Sequence, residues 1–372
     1  MNRLVLIGNG FDIAHGLKTR YENFIDWYWE QWGHRLMRSG NKLESDEFCH
    51  FILNEELGLG AWYLIRDWYY QKRSMDANEF IHKVKLDAQL CDFEYKSPFF
   101  EKINLSVETK GWVDIENIYY DFLTQDFKTR SVPNCKPQSK DLNIQMNVLR
   151  NRLVEYLKSE EGKLKNRFGE IRDKIYRPIE RQEIEVGHSL GIPQDELTPK
   201  NIMLLNFNYT ITPEMYLADN STVNYIHGKL DNPQGVIFGY GDELDGSYKK
   251  LRALNDNEYL RNIKSIRYME ADNYRRMLEF IESEPFQICI MGHSCGNSDR
   301  TLLNTLFEHH NCVSVKPYYY VKETGEDNYL EMVMNINRNF TDPKLMRNRV
   351  VKKPYCEPLV NSTTEDGQLT QR

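Results

Sequence analysis

The chain has 372 residues, of which 40% are hydrophobic, 12% aromatic and 28% charged. So much aliphatic and aromatic matter excludes a disordered chain, and the length allows one large domain or two. The net charge of −7 argues against a protein that holds nucleic acid by neutralising phosphates, which needs a basic surface.

The pattern opens with Leu4-Val5-Leu6-Ile7, an unbroken apolar run of the kind buried on both faces of a parallel sheet. Gly8-Asn9-Gly10-Phe11-Asp12 follows as a turn. Behind a Thr19-x-x-Glu22 capping box, Tyr21, Phe24, Ile25, Tyr28 and Trp32 recur at helical spacing. From 31 to 199 the periodicity predicts mostly helix. Ile115, Ile118, Tyr119, Phe122 and Leu123 line one helix, and Met146, Leu149, Leu153, Tyr156 and Leu157 another. Breaks fall at Ser131–Ser139 and Gly187–Lys200, where prolines stand. Asp114 and Glu116, two apart, read as a cap and a solvated flank.

Strand signals return after 200. Met203–Asn208 reads as a strand, Thr212-Pro213 as the start of a helix, and Val223–Ile226 as a strand ending at His227-Gly228. Gly235–Gly239 reads as another strand, 244–284 as a charged helical stretch, and Phe286–Met291 as a strand entering Gly292–Asp299. A helix follows on Leu302, Leu303, Leu306 and Phe307, then a strand over Val313–Val321. The expected fold is α/β, a Rossmann-like, mostly parallel sheet with a large, mainly helical insertion. Its core comes from 1–30 and 200–350, the insertion is 31–199, and 351–372 is a polar tail.

No apolar run approaches the roughly 18 residues of a membrane span, and the start of the chain lacks a secretory leader, so a cytoplasmic protein without membrane contact is expected. Seven scattered cysteines without a Cys-x-x-Cys pair point to free thiols rather than a zinc site. The adjacent pairs Cys49-His50 and His309-His310 are too close in sequence to make a metal set, and no metal is expected.

Ligands of open α/β sheets sit at the carboxyl ends of the strands. Four polar loops fall there: Gly8–Asp12, Asn206–Thr210, His227-Gly228 and Gly292–Asp299. Gly8 and Gly10 can let the backbone approach a phosphate, or simply make a tight turn. Asn208 can hold a water or a substrate hydroxyl, or cap the helix after it. His227 can act as a general base, or serve as a hydrogen-bonded structural histidine. Gly292-His293-Ser294-Cys295-Gly296 matches the G-x-S-x-G nucleophile elbow, but that class needs an acid and then a histidine downstream. Here only His309 and His310 come later, on the next helix, so the elbow fails on chain order.

The segments LVLIGNGFDIAHGLKTRYENF (4–24), WVDIEN (112–117), LLNFNYT (204–210), VNYIHG (223–228), VIFGYGD (236–242) and IMGHSCGNSD (290–299) together resemble the AbiH family of bacteriophage abortive-infection proteins. The likeness runs in one order over nearly all of 1–340. The same order is similar, more distantly, to sirtuin-like NAD-binding domains. That likeness implies NAD or a related nucleotide as substrate or ligand, with Asn208 and His227 carrying the cleavage of the nicotinamide–ribose bond. It implies that Gly8, Asn9, Gly10, Phe11, Asp12, Asn206, Gly228, Gly292, His293, Ser294, Gly296 and Asp299 hold the nucleotide. Thr210 stands where such domains commonly carry Asp, and Asn9 and Phe11-Asp12 replace small residues. The zinc-binding cysteines of the deacylases are missing, which argues against protein deacetylation. The resemblance further implies a bacterial protein, assembly into homo-oligomers and a phage trigger whose nature the sequence leaves open. The alternative expectation is a non-catalytic nucleotide sensor that signals to a partner.

Overall fold

The computed structural model describes residues 1–38, 43–53, 91–110, 113–129, 138–164, 168–189, 191, 193–322 and 324–360. Trp112, most of the predicted break at Ser131–Ser139, and the tail from Asn361 on lie outside them. The chain divides into two compact units, one of residues 1–18 and 157–372 and one of residues 19–156.

The first unit is built on five parallel strands: β1 (Asn2–Ile7), β5 (Ile202–Asn206), β6 (Ser221–Tyr225), β7 (Phe286–Met291) and β8 (Cys312–Tyr318). Their order is β6-β5-β1-β7-β8, with Leu4 opposite Met203 on one side and Ile288 on the other. This is the α/β, Rossmann-like fold that the unbroken apolar runs imply. Such runs mark strands covered on both faces, and the strand period of two sends alternate side chains to opposite layers. Leu4, Leu6, Met203, Leu205, Ile288 and Ile290 face Leu302, Leu306, Phe307 and Ile336. Val5, Ile7, Leu204 and Met291 face Phe11, Ile171, Ile175 and Tyr216. Truncating one of these buried aliphatics to Ala costs about 2–5 kcal/mol.

Several elements differ from expectation, each for a local reason. The first loop is not a free turn, because a helix begins at Asn9 and runs to Ala14 directly after Gly8. Gly235–Gly239 is no strand. It crosses the carboxyl edge as a loop, held by the Ile237 N–H on His227 O (2.8 Å) and the Tyr209 hydroxyl on Ile237 O (3.0 Å). The charged stretch 244–284 breaks into helices Gly246–Ala253, Lys264–Arg267 and Asn273–Ser283, with Asn255 at φ 54° between them. After Thr212 there is only a 3-10 turn to Tyr216, and its cap position is Ile211. Residues 351–360, read as part of the tail, pack along the sheet instead. Val351 N–H bonds Val315 O, Leu359 N–H bonds Tyr319 O, and the buried Lys174 ammonium donates to the carbonyls of Pro358 and Leu359.

The second unit carries the predicted helices Ile115–Thr129 and, up to its boundary, Ser139–Glu161. It adds an antiparallel sheet, β2 (Leu43–Ser45), β3 (Cys49–Leu53) and β4 (Cys91–Tyr95), that the helical reading of 31–199 did not include. Trp29, Trp32, Phe48, Phe51 and Phe100 are buried there. Asp114 caps its helix by accepting from Asn117 N–H (3.0 Å), while Glu116 is buried rather than solvated. Among the described residues no helix is long and apolar enough to cross a membrane.

Candidate functional site

Because the five strands are parallel, the loops that leave β1, β5, β6 and β7 emerge at one edge of the sheet. The chain adds β5 and β6 on one side of β1 and then β7 and β8 on the other, so the winding reverses between β1 and β7. A crevice outside the carboxyl ends at such a reversal is where doubly wound sheets bind ligands.

The loops meet there through their backbones. Gly8 N–H donates to Met291 O (3.2 Å) and Gly10 N–H to Gly292 O (2.8 Å). A Cβ on Gly8 would stand 2.5 Å from His293 Cα, and one on Gly292, at φ 76°, would stand 2.1 Å from Phe11 N. These glycines are required by two loops pressed together, and the amides of Gly8 and Gly10 are spent inside the protein. The outward residues at this edge are Asn9, Ser294 and Asn297, with Gly10, Asn208, Gly292 and Gly296 half-buried.

The remaining candidates divide between shaping and facing. The Phe11 ring is core, packed on His15 and Tyr216. Asn206 is fully buried and builds the turn after β5, donating to Thr210 O (2.9 Å) and accepting from Asn208 N–H (3.1 Å). Asn208 caps no helix. Its Nδ2 donates to Gly8 O (2.9 Å), tying the β5 loop to the β1 loop. Gly228 turns the chain after His227, its N–H on Tyr225 O (3.0 Å).

Two buried polar clusters flank this junction. In the first, Asp12 Oδ2 accepts from Thr210 Oγ1 (2.7 Å). Oδ1 has no hydrogen-bond partner among the described residues, although Thr212 and Asn208 lie near. Burial raises the Asp12 carboxyl to about 6, against the pull of those polar neighbours.

The second cluster centres on Asp299, at the start of the helix Arg300–Phe307. Its carboxylate leaves that helix uncapped and turns to Lys264 Nζ (2.8 Å), His227 Nε2 (3.2 Å) and His293 Nε2 (3.6 Å). All four residues are less than 9% exposed. Lys264 and the two histidines hold the Asp299 carboxyl well below the usual range despite burial. Burial, then Lys264, lower His227 from its ordinary value, while Asp299 and the Phe207 carbonyl pull the other way. The ring's Nδ1 lies on Phe207 O (3.1 Å), and its Nε2 faces both the Asp299 carboxylate (3.2 Å) and the Tyr268 hydroxyl (3.2 Å). Phe207 stands edge-on to His227 and lies 4.2 Å, centroid to centroid, from His293. The His293 Nδ1 accepts Cys295 N–H (3.0 Å). Cys295 sits at φ 55°, and its loop is held from outside by Asn335 on Ser294 O (3.1 Å) and Asn339 on Cys295 O (2.9 Å).

Sequence reading missed Lys264, Tyr268 and the two asparagines. Lys264 and Tyr268 lie in a stretch whose charges read as a solvated face, and nothing in its periodicity marks one lysine as buried.

Far from this edge, at the amino ends of β7 and β8, Glu282 meets His309 (3.3 Å) and His310 (3.8 Å). The Asn311 N–H donates to His309 Nδ1 (3.2 Å). That leaves the proton on Nε2, whereas a metal ligand needs a free lone pair there and an acceptor facing Nδ1.

A family model described as "Bacteriophage abortive infection AbiH" matches residues 4–320, a span that includes Gly8, Asn208, His227, Lys264 and Asp299. No curated protein matches the chain.

Proposed function

The chain belongs to the AbiH family, whose role is phage defence by abortive infection, and from that premise we propose that it binds NAD or a close relative at the reversal of its parallel sheet and cleaves the nicotinamide–ribose bond. Loss of NAD would halt the infected cell. The observation that carries this reading is the meeting of four loops at one edge, with a histidine buried beside them.

In this reaction the N-glycosidic bond breaks and its electron pair stays on the pyridine nitrogen, so nicotinamide leaves neutral. The ribose C1′ gains oxocarbenium character, as in glycoside cleavage. A water oxygen then bonds to C1′, and its proton is taken by the protein before release to solvent. His227 is too deeply buried to meet the substrate directly. The proton reaches Nε2 through the Tyr268 hydroxyl, and Asp299 steadies the imidazolium that forms. Such a base contributes typically 10²–10⁴-fold. Asn208, fixed through Nδ2, offers Oδ1 to orient the water or a ribose hydroxyl. With the amides of Gly8 and Gly10 engaged internally, the pyrophosphate falls to the Ser294–Gly296 segment and the exposed Asn9.

Incubating the purified protein with NAD, with and without lysate of phage-infected cells, and measuring nicotinamide tests this. Release is expected, lost in His227→Ala and lowered about 100-fold or more in Asn208→Ala. No release under any trigger, or full activity in the double variant, removes the enzymatic claim. The burial of His227 favours one other reading, a cleft that binds the nucleotide and signals without turnover. A rise in Tm with NAD and no nicotinamide would select it.

A further inference from the structure

The helix Tyr329–Arg338 lies outside the matched residues 4–320, yet its end grips the loop after β7. Asn335 Nδ2 donates to Ser294 O (3.1 Å), and Asn339 Nδ2 donates to Cys295 O (2.9 Å). The two asparagines are four apart, so both reach out from one side of the helix. The grip is returned, because Arg300 Nε donates to Arg338 O (2.9 Å) and Asn304 Nδ2 to Asn339 O (3.0 Å). These bonds meet carbonyls that the end of a helix leaves without partners. Asn339 is fully buried, and its Nδ2 faces Asn335 O (2.9 Å) as well as Cys295 O. Two acceptors on that side leave its amide one orientation. Its Oδ1 then has no hydrogen-bond partner among the described residues, a cost that an apolar side chain would avoid. What the asparagine gives in return is its hold on the Cys295 carbonyl.

That hold acts on the next amide. In a trans peptide the N–H points opposite to the C=O it follows. Ser294 O turned to Asn335 sends the Cys295 N–H onto His293 Nδ1 (3.0 Å). Cys295 O turned to Asn339 sends the Gly296 N–H away from the asparagine, and this amide has no hydrogen-bond partner among the described residues. The turn passes through Cys295 at φ 55°, a conformation that a residue with a Cβ keeps only where its surroundings hold it.

We propose that Asn335 and Asn339 are positioning residues: they clamp the carbonyls of Ser294 and Cys295 so that the Gly296 N–H stands preset for the pyrophosphate of a dinucleotide. A donor fixed in advance needs no rearrangement when the anion arrives. The use of that amide on a pyrophosphate rests on the proposed nucleotide function, whereas the clamp does not.

Two readouts on the full-length chain separate the clamp from its use. The first needs no ligand. Amide exchange at Cys295 is followed by NMR in chain labelled with ¹⁵N cysteine and glycine, the signals being assigned by their loss in Cys295→Ser and Gly296→Ala. The Cys295 N–H should exchange slowly in the wild type and about tenfold faster in Asn339→Leu, the worth of one hydrogen bond. The second readout is calorimetric titration with ADP-ribose, which carries the pyrophosphate, and with adenosine, which has no phosphate. The wild type should bind ADP-ribose the more tightly, with the Gly296 N–H signal moving downfield. Asn339→Leu should weaken ADP-ribose by about 10–100-fold, as for a hydrogen bond to a charged group, and leave adenosine as it was. Asn335→Ala should act in the same direction by less, and Asn335→Gln, which keeps a donor, should recover most of the affinity. Unchanged Cys295 exchange in Asn339→Leu overturns the clamp whatever the ligand. No loss of ADP-ribose affinity, or equal losses for ADP-ribose and adenosine, overturns its role towards the phosphates. If Asn339→Leu fails to fold, Asn335→Ala against Asn335→Gln decides by the same two readouts. A wild type that binds ADP-ribose no better than adenosine removes the pyrophosphate site itself. ADP-ribose binding without nicotinamide release would retire the cleavage reading and leave this inference standing.

Discussion

Asp12 and Asp299 are both carboxylates buried at the carboxyl edge of one parallel sheet, the first after β1 and the second after β7, yet their surroundings differ in kind. Asp12 meets a threonine hydroxyl and leaves one oxygen unpartnered, and its carboxyl rises to about 6. Asp299 meets a lysine and two histidines and stays ionised well below the normal range. Burial penalises charge at both places. What separates them is one cation, Lys264, delivered by a short helix from a distant part of the chain. Burial thus sets the cost of a charge, and the partner decides whether it is met by pairing or by taking up a proton.

The largest effect that would break this contrast comes from removing the partner on each side. Lys264→Met takes the lysine cation away from the buried Asp299 carboxylate and should cost about 3–5 kcal/mol in urea unfolding. Thr210→Val should cost about 1 kcal/mol, because Asp12 can answer by holding a proton. Equal losses would show that the two sites are not different in kind.

The pH dependence sharpens the same comparison. For Asp12 the folded value, about 6, lies above the unfolded 3.8. Its contribution is therefore complete below about pH 4 and is lost as the pH rises through 6, a change of up to about 3 kcal/mol. For Asp299 the folded value is depressed, so its contribution is present above the unfolded value and fades as the pH falls through the acid range below it. Asp12→Asn should accordingly remove the fall in stability between pH 4 and 6, and gain up to about 3 kcal/mol at pH 7. A variant that keeps the wild-type slope over that window would show that Asp12 is not its source.

A change in stability as small as that of Thr210→Val is expected at Asn208. Its amide bond to Gly8 O is part-buried, and Asn208→Ala should cost about 1 kcal/mol while nicotinamide release falls far more. Similar losses of both would make Asn208 a strut between loops and nothing else.

The sheet was legible because β1, β5 and β7 carry the apolar runs Leu4–Ile7, Ile202–Leu205 and Ile288–Met291, the mark of strands covered on both sides. The convergence of Gly8, Asn208, His227 and Asp299 on one edge followed from strand direction alone. Other features had a signal that was passed over: in Cys91-Asp92-Phe93-Glu94-Tyr95 the apolar residues alternate with acids, the period of a half-covered strand. The division of labour within the glycine loops could not be read. Gly8, Gly10 and Gly292 look alike whether they cradle a phosphate or each other, and only the 2.8 Å bond from Gly10 N–H to Gly292 O tells which. Lys264 left no mark either, because an ion pair buried by tertiary packing has the same local sequence as one in water.

Amide hydrogen exchange of the full chain with and without NAD bears most directly on the claim that this edge is the ligand site. Slower exchange gathered in 8–12, 206–210, 227–228 and 292–299 is the predicted result. Unchanged exchange throughout, or protection confined to other segments, would contradict it.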